Sequence, residues 1–269
     1  MSKNLDIHPT AIVEEGVNLE RGCKVGPYAY LQKGAVLGKN CKIESHAVIK
    51  NFARIGQGVQ VGHFSVIGGD PQHLSFDSTI QSEVLVGDYT RIGEGVTIHR
   101  SIEGDGVTRV GEKCFLMGYS HVAHDCQLGD RSVLANGVLL GGHVELGKDV
   151  FLGGGSAIHQ FIRIGAGAMI GGKAEISLDV APQLLVSGRN AVSGLNLIGL
   201  RRRKYNREDI ANLKNAYRSV FKAGNLMLRA QSLLADSEEK EGLIHEFLRF
   251  FTEGNRGFAR PNTSISDNQ

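Results

Sequence analysis

Several residue types are scarce in this chain of 269 residues, and each scarcity excludes a class of protein. Tryptophan is absent, and the five prolines are too few for a collagen-like chain, whose glycine would also occupy every third position. No apolar run approaches the roughly 18 residues of a membrane span. The N-terminal residues MSKNLDIHPT lack the basic-then-apolar pattern of a signal segment. Because 41% of residues are hydrophobic, extended disorder is also excluded, and we expect a soluble, cytoplasmic protein without membrane insertion.

Glycine and charge are distributed unevenly along the chain. Of the 36 glycines, 30 lie in residues 1–188 and 6 in residues 189–269. The first region has 16 Lys and Arg against 19 Asp and Glu, and the second has 14 against 9, a net charge of +5. The basic region favours either an acidic macromolecular partner or an ordinary solvated helical surface. No recognised nucleic-acid-binding motif is present, so we expect no nucleic acid partner.

A period of six dominates the first region. Counting by six from Ile7 reaches an aliphatic residue at eleven successive positions, and a second run extends from Val86 to Ile176 with one break at Gly104. Between the two runs, residues 68–85 reset the phase and are predicted to form an inserted loop. A period of six fits neither a helix nor a hairpin sheet. It is typical of a parallel β-helix in which each hexad is one strand and one turn, and three hexads complete a coil.

The domain organisation follows from where this period ends. Residues 1–188 are predicted to form an all-β helix of roughly ten coils, and residues 189–260 a small α-helical C-terminal domain. Asn206 and Asp209 are typical of a helix start, a second helix is expected near 225–235, and Ser237 is expected to cap a third. Residues 261–269 are predicted to be a disordered tail.

The four cysteines share one position of the repeat. Cys23, Cys41, Cys114 and Cys126 each follow a core aliphatic residue by four, and the first two are one coil apart. No Cys-x-x-Cys pair is present, so we interpret them as small, reduced core residues rather than a disulfide or a metal site.

Histidines recur at one edge of the predicted coils. Stacking at intervals of three hexads places His124, then Gly142 with His143, then His159 with Gln160, on three successive coils about 5 Å apart. Asp125 could fix the tautomer of the His124 imidazole, and the Gly142 N–H could face a developing oxyanion. The pattern predicts a general-base site, the alternative being a structural polar ladder.

Two other kinds of protein compete with this interpretation. No serine or cysteine nucleophile accompanies the histidines, which favours direct group transfer over a covalent intermediate. Three histidines holding zinc with an open position would instead make a hydratase, although no set of three facing ligands is evident and no metal is expected. A non-catalytic trimeric scaffold is disfavoured by the histidine column.

The hexads, the segments SHVAHDC, GGHV and IHQF, and the RRRKY stretch before a helical tail together resemble the UDP-N-acetylglucosamine O-acyltransferases of lipid A biosynthesis. The resemblance covers nearly the whole chain. It implies a left-handed β-helix that forms a homotrimer with active sites between neighbouring prisms. It also implies transfer of a 3-hydroxyacyl chain from acyl carrier protein to the 3-hydroxyl of UDP-N-acetylglucosamine. The acyl group arrives on phosphopantetheine, and no cofactor is expected to be bound.

The resemblance assigns roles to particular residues. His124 matches the general base, Asp125 its orienting partner, and Gly142 the backbone donor near the thioester carbonyl. Gly172 matches a position that limits acyl length, with Gly154 one coil below it. Both could also be glycines that the turns require, and the two interpretations are compatible. Substrate-contacting positions are matched by His121, His143, His159 and Gln160, and the nucleotide-holding region by Asn196, Arg202 and Arg203.

The segment PQHLSF in the inserted loop departs from the family pattern. In the family an acidic residue, then Leu, then Lys contact the sugar at these positions, where this chain has His73 and Ser75 around the leucine. We expect His73, Ser75 and the preceding Gln72 to be substrate-binding residues. Ile198 also stands where an acidic residue is often found near the nucleotide. These changes leave open a second activity, N-acylation of a 3-amino-3-deoxy UDP-sugar. N-acylating enzymes of later lipid A steps carry an extra N-terminal domain, which we do not expect here because the hexads start at residue 7.

Overall fold

A computed structural model describes residues 4–237, 241–254 and 256–262. Most of this structure consists of short strands separated by turns. In chain order they are β1 Asp6–Ile7, β2 Ile12–Val13, β3 Asn18–Leu19, β4 Lys24–Val25, β5 Tyr30–Leu31, β6 Val36–Leu37, β7 Lys42–Ile43, β8 Val48–Ile49, β9 Ala53–Ile55, β10 Gln60–Val61, β11 Val66–Gly69, β12 Glu83–Val86, β13 Arg91–Ile92, β14 Thr97–His99, β15 Val107–Val110, β16 Phe115–Leu116, β17 His121–Val122, β18 Gln127–Leu128, β19 Val133–Leu134, β20 Leu139–Leu140, β21 Glu145–Leu146, β22 Phe151–Leu152, β23 Ala157–Ile158, β24 Arg163–Ile164, β25 Met169–Ile170, β26 Glu175–Ile176 and β27 Leu184–Ser187.

These strands form three parallel sheets, and the chain visits each sheet in turn. Sheet 1 begins β1-β4-β7 and reaches β25 and β27, sheet 2 runs from β2 to β26, and sheet 3 runs from β3 to β24. Ten strands stack in parallel in sheet 1, in agreement with the roughly ten coils predicted. The repeated order of sheets is that of a three-sided parallel β-helix, so the predicted parallel β-helix is confirmed.

The coils are not all three hexads long. Ile7 pairs with Val25, three hexads later, but the partner of Ile55 is Val86, more than five hexads later. Residues 70–82, a segment narrower than the predicted 68–85, make up this insertion between β11 and β12. A second insertion, of one hexad, follows β14, because Val86 pairs with Val110, four hexads later. The break at Gly104 therefore marks a longer coil rather than one irregular hexad.

The aliphatic column predicted from the period fills the centre of the prism. Leu31, Leu37, Ile43 and their equivalents in later coils are almost completely buried. All four cysteines lie in this core as free thiols. Burial raises the pKa of the Cys114 thiol to about 11, which keeps it protonated and unreactive at neutral pH.

The C-terminal region mixes strands with helices. After β27 the chain turns back into β28 Ala191–Leu195, which is antiparallel to β27 and lies inside the segment predicted to be helical. The turn uses left-handed backbone at Gly188 and Asn190, a local feature that carries no periodicity. Four helices follow: α1 Leu197–Arg202, α2 Arg207–Phe221, α3 Leu226–Ala235 and α4 Leu243–Phe250.

Of the three helix starts predicted from the sequence, two are confirmed. The Asn206 side chain accepts a hydrogen bond from Asp209 N at 2.8 Å and caps α2, as its position predicted. Asn225 caps α3 in the same way. Helix α4 begins at Leu243 with Gly242 at its N-cap, so the prediction of a start at Ser237 is wrong.

The last described residues return to the sheet. Strand β29, Arg260–Pro261, pairs with β28, so Pro261 belongs to sheet 1 rather than to the predicted tail. Residues 263–269 of that tail lie outside the described residues. Within the described ranges, none of the helices combines the length and the apolar character needed to span a bilayer.

Candidate functional site

The predicted histidines meet at one edge of the prism, which we call the histidine corner. It is formed by the turns that lead from sheet 2 to sheet 3, and His124, Gly142 and Gln160 occupy successive turns there. The backbone links confirm this stacking, because His143 N donates to His124 O and Phe161 N donates to Gly142 O. The edge thus carries side chains from coils that are far apart in sequence.

His124 and Asp125 form a hydrogen-bonded pair. The His124 Nδ1 lies 2.8 Å from Asp125 Oδ2, and both side chains are largely buried, with exposures of 13% and 11%. A carboxylate at Nδ1 favours the tautomer with its proton on that nitrogen. The Nε2 atom is then free to accept a proton, which is the arrangement of a general base.

Asp125 is itself held by three further groups. Its carboxylate accepts hydrogen bonds from the Ser101 hydroxyl and, at 3.2 Å, from Ile102 N, while its own N–H donates to Thr108 Oγ1 at 2.7 Å. Burial alone would raise the pKa of Asp125, but the Ser101 and His124 hydrogen bonds outweigh it and leave that pKa below its ordinary value. The carboxylate is therefore ionised and fixed in direction at neutral pH.

Gly142 packs directly against the His124 imidazole. A Cβ added to Gly142 would lie 2.5 Å from Cε1 and 2.7 Å from Nε2 of His124, closer than real contacts allow. Any other residue would displace the ring. Gly142 N donates to no acceptor among the described residues, so this N–H remains available beside the imidazole.

His143 extends the cluster along the corner. Its Nε2 lies 3.7 Å from Asp125 Oδ2, and its ring meets the His124 ring edge-on with centroids 5.2 Å apart. Phe161 stacks on the other side of His143 at 4.4 Å. His159 and Gln160 are exposed on the next coil, where His159 Nδ1 lies 3.1 Å from Gln160 O.

The inserted loop folds over the same corner. His73 lies edge-on to His124, with ring centroids 6.3 Å apart, and Ser75 Oγ is 3.2 Å from His73 Nδ1. Gln72 is exposed beside them. The loop therefore places the two residues that depart from the family pattern at the His–Asp pair.

His121 and His99 form the inner side of the cluster. The rings meet edge-on at 4.8 Å, and His121 Nδ1 is 2.7 Å from Thr97 Oγ1. Burial, followed by the charges of His121 and His124, lowers the pKa of His99 to about 4, so it is neutral at physiological pH. The His99 Nδ1 atom is buried without a hydrogen-bond partner in the described structure.

Sequence reasoning missed four residues of this site, namely His99, Arg100, Ser101 and Thr108. For Ser101, the signal that could have found it is the break at Gly104. Had it been treated as an extra hexad, Ser101 would fall one lengthened coil, or four hexads, before Asp125. Stacking at a fixed interval of three hexads instead assigned it no partner.

The predicted nucleotide-binding residues lie at a different edge, where sheet 3 leads into sheet 1. Asn196 caps α1 through Gly199 N at 2.9 Å, and its Nδ2 donates to Gly167 O at 3.0 Å. Arg203 donates to Gln183 Oε1, while Arg202 is exposed on the last turn of α1. A single chain therefore does not bring these three residues to His124. Ile198, also on α1, is 63% exposed.

Gly154 and Gly172 stack on each other at the third edge, where sheet 1 leads into sheet 2. A Cβ on Gly172 would lie 3.3 Å from Gly154 O, and one on Gly154 would lie 3.4 Å from Asn136 O. Neither glycine has the positive φ that the neighbouring Gly155 shows. The turns therefore need no left-handed backbone at these two glycines, although a Cβ at Gly172 would crowd Gly154 O. Both glycines are exposed.

Among the residues that the structure describes, one set of side chains has the geometry of a metal site. His124, Asp125 and His143 each offer a ligand atom within 4.8 Å of the others. The expectation that no three ligands face one another was therefore wrong. Both Asp125 oxygens already accept hydrogen bonds, however, and the His124 nitrogen nearest to Asp125 is part of that hydrogen-bonded pair.

A left-handed β-helix with a His–Asp pair on its corner defines an acyltransferase of the hexapeptide-repeat class. Residues 16–51 and 108–142 match the bacterial transferase hexapeptide family, and residues 179–259 match domain 2 of UDP-N-acetylglucosamine O-acyltransferase. The acyl-[acyl-carrier-protein]–UDP-N-acetylglucosamine O-acyltransferase of Campylobacter jejuni subsp. doylei is 41% identical over 253 residues, which are 93% of this chain and 95% of that protein. The chain belongs to the UDP-N-acetylglucosamine O-acyltransferase family.

Solved structures of the family superpose on the whole chain. The UDP-N-acetylglucosamine acyltransferase from Campylobacter jejuni has a TM-score of 0.90 at 36% identity, covering 96% of this chain and all of that one. The Francisella novicida UDP-N-acetylglucosamine acyltransferase has a TM-score of 0.91 at 31% identity, covering 96% of this chain and 95% of that one. The helical C-terminal region is thus shared as well as the β-helix.

Proposed function

We propose that this enzyme transfers a 3-hydroxyacyl chain from acyl carrier protein to the 3-hydroxyl of UDP-N-acetylglucosamine, the first step of lipid A biosynthesis. The observation that carries the proposal is the His124–Asp125 pair, at 2.8 Å, with the Gly142 N–H beside it. Family membership supports the substrates, and the site geometry supports the chemistry.

The chemistry is a direct transfer. His124 Nε2 takes the proton of the sugar hydroxyl as its oxygen attacks the thioester carbonyl, and Asp125 stabilises the imidazolium that results. The carbonyl oxygen becomes an oxyanion, which the Gly142 N–H stabilises. When the tetrahedral intermediate collapses, the C–S bond breaks, and the departing thiolate receives the proton from His124. No covalent enzyme intermediate and no bound cofactor are required.

Substrate contacts are assigned by position along the corners. We place the sugar between His73 of the inserted loop and His121, with His143, His159 and Gln160 along the donor side. The acyl chain extends toward the exposed Gly154 and Gly172. The acidic acyl carrier protein docks on the C-terminal region, whose net charge is +5, and this docking weakens with salt.

The separation of two sets of residues favours a homotrimer. His124 lies at one edge of the prism, and Arg202 and Arg203 lie at another, so a single chain cannot bring both sets to one substrate. A neighbouring copy related by three-fold symmetry supplies the second set, and its arginines hold the nucleotide phosphates. The free thiols fit a reducing compartment, which we take to be the cytoplasm.

The test is a mass-spectrometric transfer assay with UDP-N-acetylglucosamine and 3-hydroxyacyl carrier proteins of several lengths. Wild-type enzyme should form an ester. His124→Ala should lower kcat by about 10²–10⁴-fold, the contribution typical of a general base, and leave the circular dichroism spectrum and oligomeric state unchanged. A matched control is His63→Ala, an exposed histidine outside the histidine corner, which should retain activity. Near-normal turnover by His124→Ala would remove the general-base assignment.

A second acceptor is tested in the same assay. The ring centroids of His73 and His124 lie 6.3 Å apart, and Ser75 Oγ lies 3.2 Å from His73 Nδ1. The family pattern has an acidic and a basic side chain at the positions of His73 and Ser75. This difference lies at the proposed sugar position, so the 3-amino-3-deoxy analogue of the sugar is offered in parallel. Amide from the analogue alone would identify an N-acyltransferase. Product from neither sugar, together with stoichiometric zinc in purified protein, would favour a hydratase at His124, Asp125 and His143.

A further inference from the structure

We propose that Arg100 is a positioning residue that fixes the inserted loop, residues 70–82, over the His124–Asp125 pair, and so sets acceptor binding. The proposal deepens the function proposed above and rests on it, because the loop is assigned to the acceptor sugar. Arg100 touches neither His124 nor Asp125 in the described structure. It acts through the loop alone.

The guanidinium of Arg100 binds the loop at both of its ends. Its Nε donates to Asp70 Oδ1 at 2.8 Å, where the loop begins. The two terminal nitrogens donate to the carbonyl oxygens of Ser78, at 3.0 Å, and of Ile80, where the loop returns to the sheet. One charged group thus closes the loop across its base.

Aromatic contacts complete the environment of Arg100. The guanidinium carbon lies 4.8 Å from the centroid of Phe52 and 4.9 Å from that of Phe76, and Phe76 itself belongs to the loop. Arg100 is only 2% exposed, so this charge is removed from water and its contacts are strengthened. A buried arginine devoted to one surface loop indicates that the position of that loop matters.

The loop and the catalytic pair are joined through adjacent residues of the chain. Arg100 holds the base of the loop, and the next residue, Ser101, donates to the Asp125 carboxylate. His73, at the tip, then lies edge-on to His124. The loop residues 72–75 are exposed, and their hydrogen bonds are made within the loop, so their position depends on the base. Loss of the Arg100 contacts should therefore release His73 without moving Asp125.

The test compares Arg100→Lys, Arg100→Met and Asp70→Asn with wild type. Lysine keeps the charge but lacks the planar fork that reaches Asp70, Ser78 and Ile80 together. Asp70→Asn loosens only one end of the loop and, because Asp70 is half exposed, should fold even if Arg100→Met does not. Arg109→Met, at an exposed arginine of β15, is the matched control.

Two readouts separate this role from a general structural one. Hydrogen–deuterium exchange should rise in residues 71–81 of the variants and stay unchanged in β14 and β17. The KM for UDP-sugar should rise by about tenfold or more, as expected for loss of charged hydrogen bonds, while the KM for acyl carrier protein changes less than about twofold. The control should match wild type in both measurements.

Unchanged exchange in the loop of Arg100→Lys and Asp70→Asn would overturn the proposal, and so would a rise spread equally over the neighbouring coils. If hydrogen–deuterium exchange in the loop rises but the KM for UDP-sugar stays unchanged, the proposed role of the loop in acceptor binding is wrong. The exchange measurement needs no substrate. If wild-type enzyme transfers no acyl group, the proposed function fails, while the exchange data still decide whether Arg100 holds the loop.

Discussion

Gly142 and Gly172 both lie on turns without a positive φ, so neither position requires glycine for its backbone conformation. They differ in what an added side chain would meet. At Gly142 a side chain would collide with the His124 ring, whereas at Gly172 the nearest backbone atom would be 3.3 Å from an added Cβ. The sequence places both glycines on turns and cannot distinguish them. The two positions differ in the residue of the adjacent coil that faces the glycine, which is His124 for Gly142 and Gly154 for Gly172. Only the three-dimensional stacking of the coils shows this difference.

His99 supports a prediction about stability and pH. Its pKa falls from an ordinary value of 6.5 to about 4, chiefly because the ring is buried and then because His121 and His124 lie close to it. The unfolded chain binds a proton between these pH values and the folded chain does not. Folding stability should therefore decline as the pH falls from about 6.5 to about 4, by up to about 3 kcal/mol from this group.

Urea unfolding at a series of pH values and a fixed protein concentration checks this prediction. His99→Asn should be less stable at pH 7 through lost packing but should show a shallower decline toward pH 4 than wild type. His63→Asn, which alters an exposed histidine, should decline as steeply as wild type. Parallel curves for His99→Asn and wild type would contradict the prediction.

At the scale of the structural element, most of the fold follows from the period of six. The aliphatic and small positions repeat so regularly that strand register, core column and the fate of the cysteines could all be predicted. The period failed where coils are longer than three hexads, because an insertion of one whole hexad leaves the phase unchanged. For that reason Ser101 was not aligned with Asp125, and β28 was not expected at all, since a single hairpin has no repeat.

The corner carrying Gly154 and Gly172 gives a prediction on acyl length. Gly172→Leu should shift the preferred donor to a shorter acyl chain, because a leucine side chain would project from an exposed corner where the two stacked glycines have no side chains. Gly172 does not have a positive φ, and the 3.3 Å approach of an added Cβ to Gly154 O requires a shift of only a few tenths of an ångström. Competition between 3-hydroxyacyl carrier proteins of different lengths measures the shift.

The comparison variant for that experiment is Gly155→Leu. Gly155 lies on the same edge but has a φ of 66°, so a leucine there should destabilise the turn. A chain-length preference identical to that of wild type in Gly172→Leu would place the acyl groove elsewhere.

At the scale of the whole molecule, the residues proposed to bind the substrate lie at different edges of the prism. If each active site combines His124 of one copy with Arg202 of the next, two inactive variants should restore one another. Co-expressed His124→Ala and Arg202→Ala chains would form mixed trimers in which one site in three is intact. The mixture should show about a quarter of wild-type activity at low UDP-sugar concentration, as three-fold assembly requires.

Measurement of each variant alone, and of the two mixed after separate purification and assembly, provides the baseline for complementation. Activity in the co-expressed sample no higher than the sum of the separate samples would show that the sites are not shared between copies. The period of six predicts nothing about such sharing, which is expected only from the family resemblance and from the separation of the two sets of residues within one chain.

The two insertions, the loop 70–82 and the extra hexad after β14, leave the prism at turns, and the strands that follow them pair in register with the coils below. The register shifts only at the end of β11, between Ile67 and Gly69, where β11 pairs with β14. A loop can therefore be lengthened, shortened or exchanged without disturbing the core beneath it. If the loop binds the acceptor as proposed, a change confined to this short surface segment would alter what the enzyme accepts and leave the His124–Asp125 pair in place. The departure at His73 and Ser75, beside an intact His124 and Asp125, is what such independent change would leave in a sequence.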